Sequence, residues 1–122
     1  MTDLATDRPV TAFKVLTGEE MLALESNGIF EGAAVDLQDG FIHLSTLEQL
    51  TETVDKHFAG QNDLHVAAVD LAAYEEQAVR WEESRGGQLF PHLYAPLLLE
   101  TVVAYGALSR NDDGTVREPS TG

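Results

Sequence analysis

The chain has 122 residues, enough for one domain, and its lack of cysteine excludes disulfides, a thiolate nucleophile and any cysteine-ligated metal. Its 21 acidic residues against 7 basic ones give a formal net charge of −14, a balance that repels DNA, RNA and anionic lipid. The first residues show no basic start leading into an apolar stretch, and nowhere do about 18 apolar residues run together. The expectation is a soluble, cytoplasmic protein whose partner is a small molecule rather than nucleic acid or membrane.

In chain order, Thr11 to Thr17 is rich in β-formers and reads as a strand with Phe13 and Val15 on one face and Lys14 on the other. Thr17 and Glu20 form a T-x-x-E capping box for a short helix through Met21, Leu22 and Leu24, which Asn27-Gly28 closes. Ile29 to Gly40 reads as irregular, with turn signals at Gly32 and Asp39-Gly40. In Phe41 to Ser45 a period of two puts Phe41, His43 and Ser45 on one face and Ile42 and Leu44 on the other. Thr46 caps a second helix, in which Leu47, Leu50, Val54 and Phe58 recur at helical spacing until Gly60 stops it. In that helix Lys56 follows Glu52 as an ordinary i,i+4 pair, and His57 suits the C-terminal end of the dipole.

Leu64 to Leu71 reads as a buried strand, Ala72 to Ala78 as a turn or short helix, Val79 to Glu82 as another strand, and Trp81 to Tyr94 as a long hairpin loop. Leu97 to Leu108 follows as a last strand, bent at Gly106. Five strands with two helices confined to the N-terminal half imply an α+β fold around a mixed or antiparallel sheet. The domain spans residues 11–108, and residues 1–10 and 109–122 read as flexible tails because they carry little apolar content.

The chemistry concentrates in residues 81–94, WEESRGGQLFPHLY, where a Gly pair permits a sharp turn and Pro91 fixes φ ahead of a histidine and a tyrosine. His43 and His92 both sit among aromatics, which suits either a general acid or base in a pocket or imidazoles satisfied inside the core. Ser45 shares a strand face with His43 and can bond the same ligand, or turn to backbone. Arg85 can meet a phosphate beside the exposed amides of Gly86-Gly87. An anionic ligand would draw on Lys14, Arg80 and Arg85. Trp81 and Phe90 read as core, while Glu82 and Glu100 suit paired or catalytic carboxylates or, more readily among 21 acids, a solvated strand face. No G-x-S-x-G, H-x-H or H-E-x-x-H pattern occurs, so neither a serine-hydrolase elbow nor a metal site is expected.

The runs DGFIHLST (39–46), HFAG (57–60), WEESRGG (81–87) and LFPHLY (89–94) resemble the bacterial family known as domain of unknown function 952, and the resemblance covers roughly residues 11–105. It implies the ADP-ribosyltransferase-like superfamily: a split, mostly antiparallel sheet with a cleft for NAD or ADP-ribose. On that likeness Lys14 stands at the first motif, His43 on the strand of the second and His92 near the third, with Ser45, Arg85 and Tyr94 as further ligand contacts. The third motif ordinarily carries a glutamate, whose negative charge stabilises an oxocarbenium-like transition state, and a histidine supplies none. Two functions remain: an enzyme that transforms an ADP-ribosyl or phosphorylated nucleotide with His43 and His92 as its catalytic pair, or a catalytically silent module that binds one.

Overall fold

The computed structural model describes residues 10–119. The chain begins with strand β1 (Thr11–Thr17) and helix α1 (Gly18–Asn27), followed by β2 (Ile29–Phe30), α2 (Ala34–Asp39), β3 (Ile42–His43) and α3 (Leu47–His57). Then come β4 (Leu64–Asp70), β5 (Val79–Glu83), β6 (Leu89–Leu93), β7 (Leu97–Leu98) and β8 (Val102–Ala107). Every ladder between these strands is antiparallel, and the strands form three small sheets ordered β1-β4-β8, β2-β7 and β3-β6-β5. Among the described residues the result is a mixed α and β fold with mostly antiparallel sheets and three α-helices. None of the described helices is long and apolar enough to cross a membrane.

The alternation in β1 organises the core. Ala12 and Leu16 join Ala67 and Val69 of β4 in a cluster under α1, completed by Met21, Leu24, Ile42 and Leu93. Phe13 and Val15 point the other way, with Val66 and Ala68, against Leu50 and Val54 of α3. The sheet is therefore covered on both faces, and each fully buried leucine contributes roughly 1.5–3 kcal/mol. Both predicted caps are made. Thr17 accepts from Glu20 N–H and Thr46 from Gln49 N–H, with the return bonds also present.

Residues 42–45 join two of the sheets. Ile42 and His43 pair with β6, the Leu44 amide still donates to the Pro91 carbonyl, and Ser45 then exchanges backbone bonds with Phe13 of β1. This crossing explains why the expected five-residue strand is a two-residue ladder plus an isolated bridge. It also opens a gap between the two sheets.

Several elements differ from the sequence reading. The segment 81–94 is a hairpin, β5 and β6 joined by a tight turn at Arg85–Gly87 with φ of 68° at Gly86 and 77° at Gly87. Pro91 is tolerated inside β6 because N and C=O of one residue point to the same side of a strand. Its missing N–H thus faces β3, where that ladder ends, and the ladder to β5 is spared. The stretch read as irregular contains α2, and the last strand is broken by a 3-10 turn at Leu99–Thr101, where the Thr101 hydroxyl donates to the Leu98 carbonyl.

Residues 109–119 are mostly exposed but touch α3 at two points. Val116 is 4 % exposed inside the α3 cluster, and its amide donates to Thr51 Oγ1 at 2.8 Å. Arg110 reaches Asp55 at 2.9 Å. One valine amid polar residues gave no periodic signal, which is why this segment read as a flexible tail. The expected tails at 1–9 and 120–122 lie outside the described residues.

Candidate functional site

Strand register assembles the site. His43 of β3 stands directly opposite His92 of β6, which stands opposite Arg80 of β5. The period of two then puts Glu82, Phe90 and Tyr94 on the same face, while Trp81, Pro91 and Leu93 turn to the other face. His43 and His92 meet edge to face with ring centroids 5.6 Å apart. Phe41 stacks on His92 at 4.0 Å and tilts against His43 at 4.7 Å.

Each imidazole has its own carboxylate. His92 Nδ1 lies 2.7 Å from Glu82 Oε1, and the Tyr94 hydroxyl donates to the same oxygen at 2.8 Å. The His92 and Tyr94 bonds hold the Glu82 carboxyl below its usual range and, reciprocally, the bond to Glu82 raises the Tyr94 phenol. The Arg80 guanidinium caps the Tyr94 ring at 4.4 Å. With Nδ1–H committed to Glu82, the basic lone pair of a neutral His92 is on Nε2.

His43 is held on both sides. Nδ1 lies 2.6 Å from Asp36 Oδ1 and Nε2 lies 2.9 Å from Asp39 Oδ2. Both contacts are hydrogen bonds only when both nitrogens carry protons. Asp36, 1 % exposed, also accepts from the Lys14 ammonium at 3.0 Å and from the amides of Ala33 and His43. Burial opposes its charge, but the His43 bond, the Lys14 charge and the Ala33 amide outweigh that penalty and hold its carboxyl well below the ordinary carboxylate range.

A cavity of about 580 Å³ opens in the gap between the two sheets, a volume typical of small-molecule sites. Lys14, His43, Ser45 and His92 all line it, so four of the six residues singled out from sequence converge on one surface. Lys14 is buried with its ammonium engaged by Asp36 and by the His43 carbonyl at 3.3 Å. Ser45 shares a hydrogen bond of 2.8 Å with Thr53. Tyr94 and its partner Glu82 do not line the cavity themselves and reach it only through His92. Arg85 occupies the hairpin turn, and its side chain lies outside those described.

Three carboxylates were not singled out from the sequence as site residues. Glu82 read as solvated because 21 acids make any one of them unremarkable, yet its place two residues from Arg80 on a strand was a signal that it faces the same way. Asp36 and Asp39 sat in a stretch without periodicity. The sign available was Gly32, whose φ of 125° and approach to Asp36 mark a built turn: an added Cβ would meet the Asp36 Cβ at 2.9 Å. Among the described residues no three His, Asp or Glu side chains converge to hold a metal ion.

The family described as protein of unknown function DUF952 matches residues 15–105, three quarters of the chain. The chain belongs to this family. It is similar to the crystal structure of protein CC0527 from Caulobacter crescentus, at 46% identity and a TM-score of 0.78 over 88% of this chain and 93% of that one. A double mutant of the same protein gives 45% identity and a TM-score of 0.77 over 88% and 93%. The solution NMR structure of CC0527 gives 45% and 0.73 over 87% and 90%. Comparison with curated proteins gives no match.

Proposed function

We propose that the cleft binds an ADP-ribosyl nucleotide such as NAD and that His92, oriented by Glu82, moves a proton during its cleavage. The observation that carries this reading is His92 in the cavity wall with its Nδ1 held by Glu82 at 2.7 Å. A carboxylate that fixes the tautomer and ring plane of a histidine prepares its other nitrogen for general acid–base work, typically worth about 10²- to 10⁴-fold in rate. Glu82 also sets a negative charge 2.7 Å from Nδ1 of His92, the residue that the family resemblance puts near the third motif. Phe13, Phe58 and Phe90 offer flat apolar walls to a base, and Ser45 and Thr53 offer hydroxyls to a ribose.

With water as the simplest acceptor, the water oxygen bonds to the ribosyl carbon, and the broken C–N bond's electron pair leaves with nicotinamide. The proton lost by the water passes to His92 Nε2. A second reading, a silent binding module, draws support from His43 and Lys14, whose polar atoms are already engaged by Asp36 and Asp39. Incubation with 1 mM NAD (about a physiological to saturating level for a micromolar site), read by thermal shift and by release of nicotinamide, separates the two. An enzyme shows both signals and loses release in His92→Ala. A binding module shows the shift alone, and absence of both refutes the proposal.

A further inference from the structure

Helix α2 is held differently from α1 and α3, which bury apolar faces. Its buried residue is Asp36, while Val35 and Leu37 are 54% and 64% exposed, so no apolar stripe anchors it. Glycines flank it at positive φ, 125° at Gly32 and 90° at Gly40, conformations that side chains disfavour. Yet α2 forms part of the cavity wall through Val35, Asp36 and Asp39.

Two contacts of opposite character tie α2 to the sheet. The first is Asp36, sunk among Lys14, His43 and the Ala33 amide, where breaking any bond would strand a buried charge. The second is Asp39 to His43 Nε2, between side chains 42% and 35% exposed, a pair that water can replace at small cost. Asp36 therefore acts as a pivot and Asp39 as a latch at the helix's C-terminal end. The latch sits on a cavity-lining nitrogen, and what it presents there is an anionic oxygen.

We propose that Asp39 gates the cleft: its carboxylate competes with an anionic oxygen of the ligand for His43 Nε2, and displacement lets α2 swing about Asp36 and lay Val35 on the bound molecule. The choice of ligand rests on the function proposed above, in which the diphosphate of NAD supplies that oxygen. His43 is then a binding and positioning residue, and proton transfer is left to His92.

Asp39→Ala, with Asp39→Asn beside it, separates the possibilities. Removal of the latch should speed amide exchange at Gly40 and Phe41, whose N–H groups bond the Asp36 carbonyl, without changing exchange at Gly28, the equivalent cap of α1. It should also tighten NAD and ADP-ribose by about tenfold or more, within the usual span of coupling between two sites, and leave adenosine unaffected. Unchanged exchange at Gly40 and Phe41 overturns the latch. Weaker or equal NAD binding, or equal gains for adenosine, overturns the competition. If NAD and ADP-ribose bind neither parent nor variant, the function proposed above fails, and the competition fails with it; exchange at Gly40 and Phe41 then reports on the latch alone.

Discussion

Replacing Asp36 by alanine removes the carboxylate that neutralises Lys14 and accepts from His43. The Lys14 ammonium is 7% exposed, so water cannot take over, and an orphaned buried charge costs about 3–5 kcal/mol. A domain of this size has about 5–15 kcal/mol in all, so the variant should keep its fold narrowly. Its melting temperature should fall by roughly 9–30 °C, from about 3–6 °C per kcal/mol at this chain length. Urea unfolding followed by fluorescence of Trp81, the single tryptophan, which packs against the core, reads the loss directly. The double variant Lys14→Met with Asp36→Leu removes both charges and should recover much of it. The pH dependence has a definite sign. Asp36 is more acidic folded than its ordinary 3.8, so its contribution is complete above that value and is lost as pH falls through the depressed folded value. The gap between parent and Asp36→Ala should persist above about pH 4 and shrink below it. A cost under about 1 kcal/mol at pH 7, or a gap that widens in acid, would refute the reasoning.

Truncation after Leu108 removes Val116 from the α3 cluster and should lower the melting temperature by several degrees, with Val116→Ala alone costing about 1–3 kcal/mol in urea; an unchanged midpoint would show that residues 109–119 contribute nothing. Gly32→Ala forces a side chain to φ 125° against Asp36 and should cost about 1–3 kcal/mol, with faster amide exchange confined to α2. Glu82→Gln keeps the shape but removes the charge behind His92, and should lower NAD turnover by about tenfold or more with little change in melting temperature. Full turnover in that variant would show that Glu82 does not orient His92.

The elements legible in the sequence were those written in periodicity and caps. Thr17 with Glu20, Thr46 before Leu47, and the alternation around Phe13 and His43 all follow local rules, and the structure has a helix or strand at each. The strand β6 was hidden by Pro91, because the side of the strand facing a proline's missing N–H is a tertiary fact. Helix α2 was hidden for a different reason: it is organised around a buried charge instead of an apolar stripe, so Val35 and Leu37 gave no useful period. The nearness of His43 and Ser45 followed from their shared strand face and that of His92 from the return of FPHLY to the sheet, while Lys14 entered through the family resemblance and not through a shared face. Their partners were not legible, since Asp36, Asp39 and Glu82 are distinguished from eighteen other acids only by where the chain folds back.

The most direct test of the account is a crystal structure grown with ADP-ribose. The prediction is a ligand in the cleft between the two sheets, a ribose hydroxyl within hydrogen-bond distance of His92 Nε2, Glu82 still on Nδ1, and a phosphate oxygen on His43 Nε2 where Asp39 had been. A ligand bound elsewhere, or an unoccupied cleft at millimolar ADP-ribose, would contradict it.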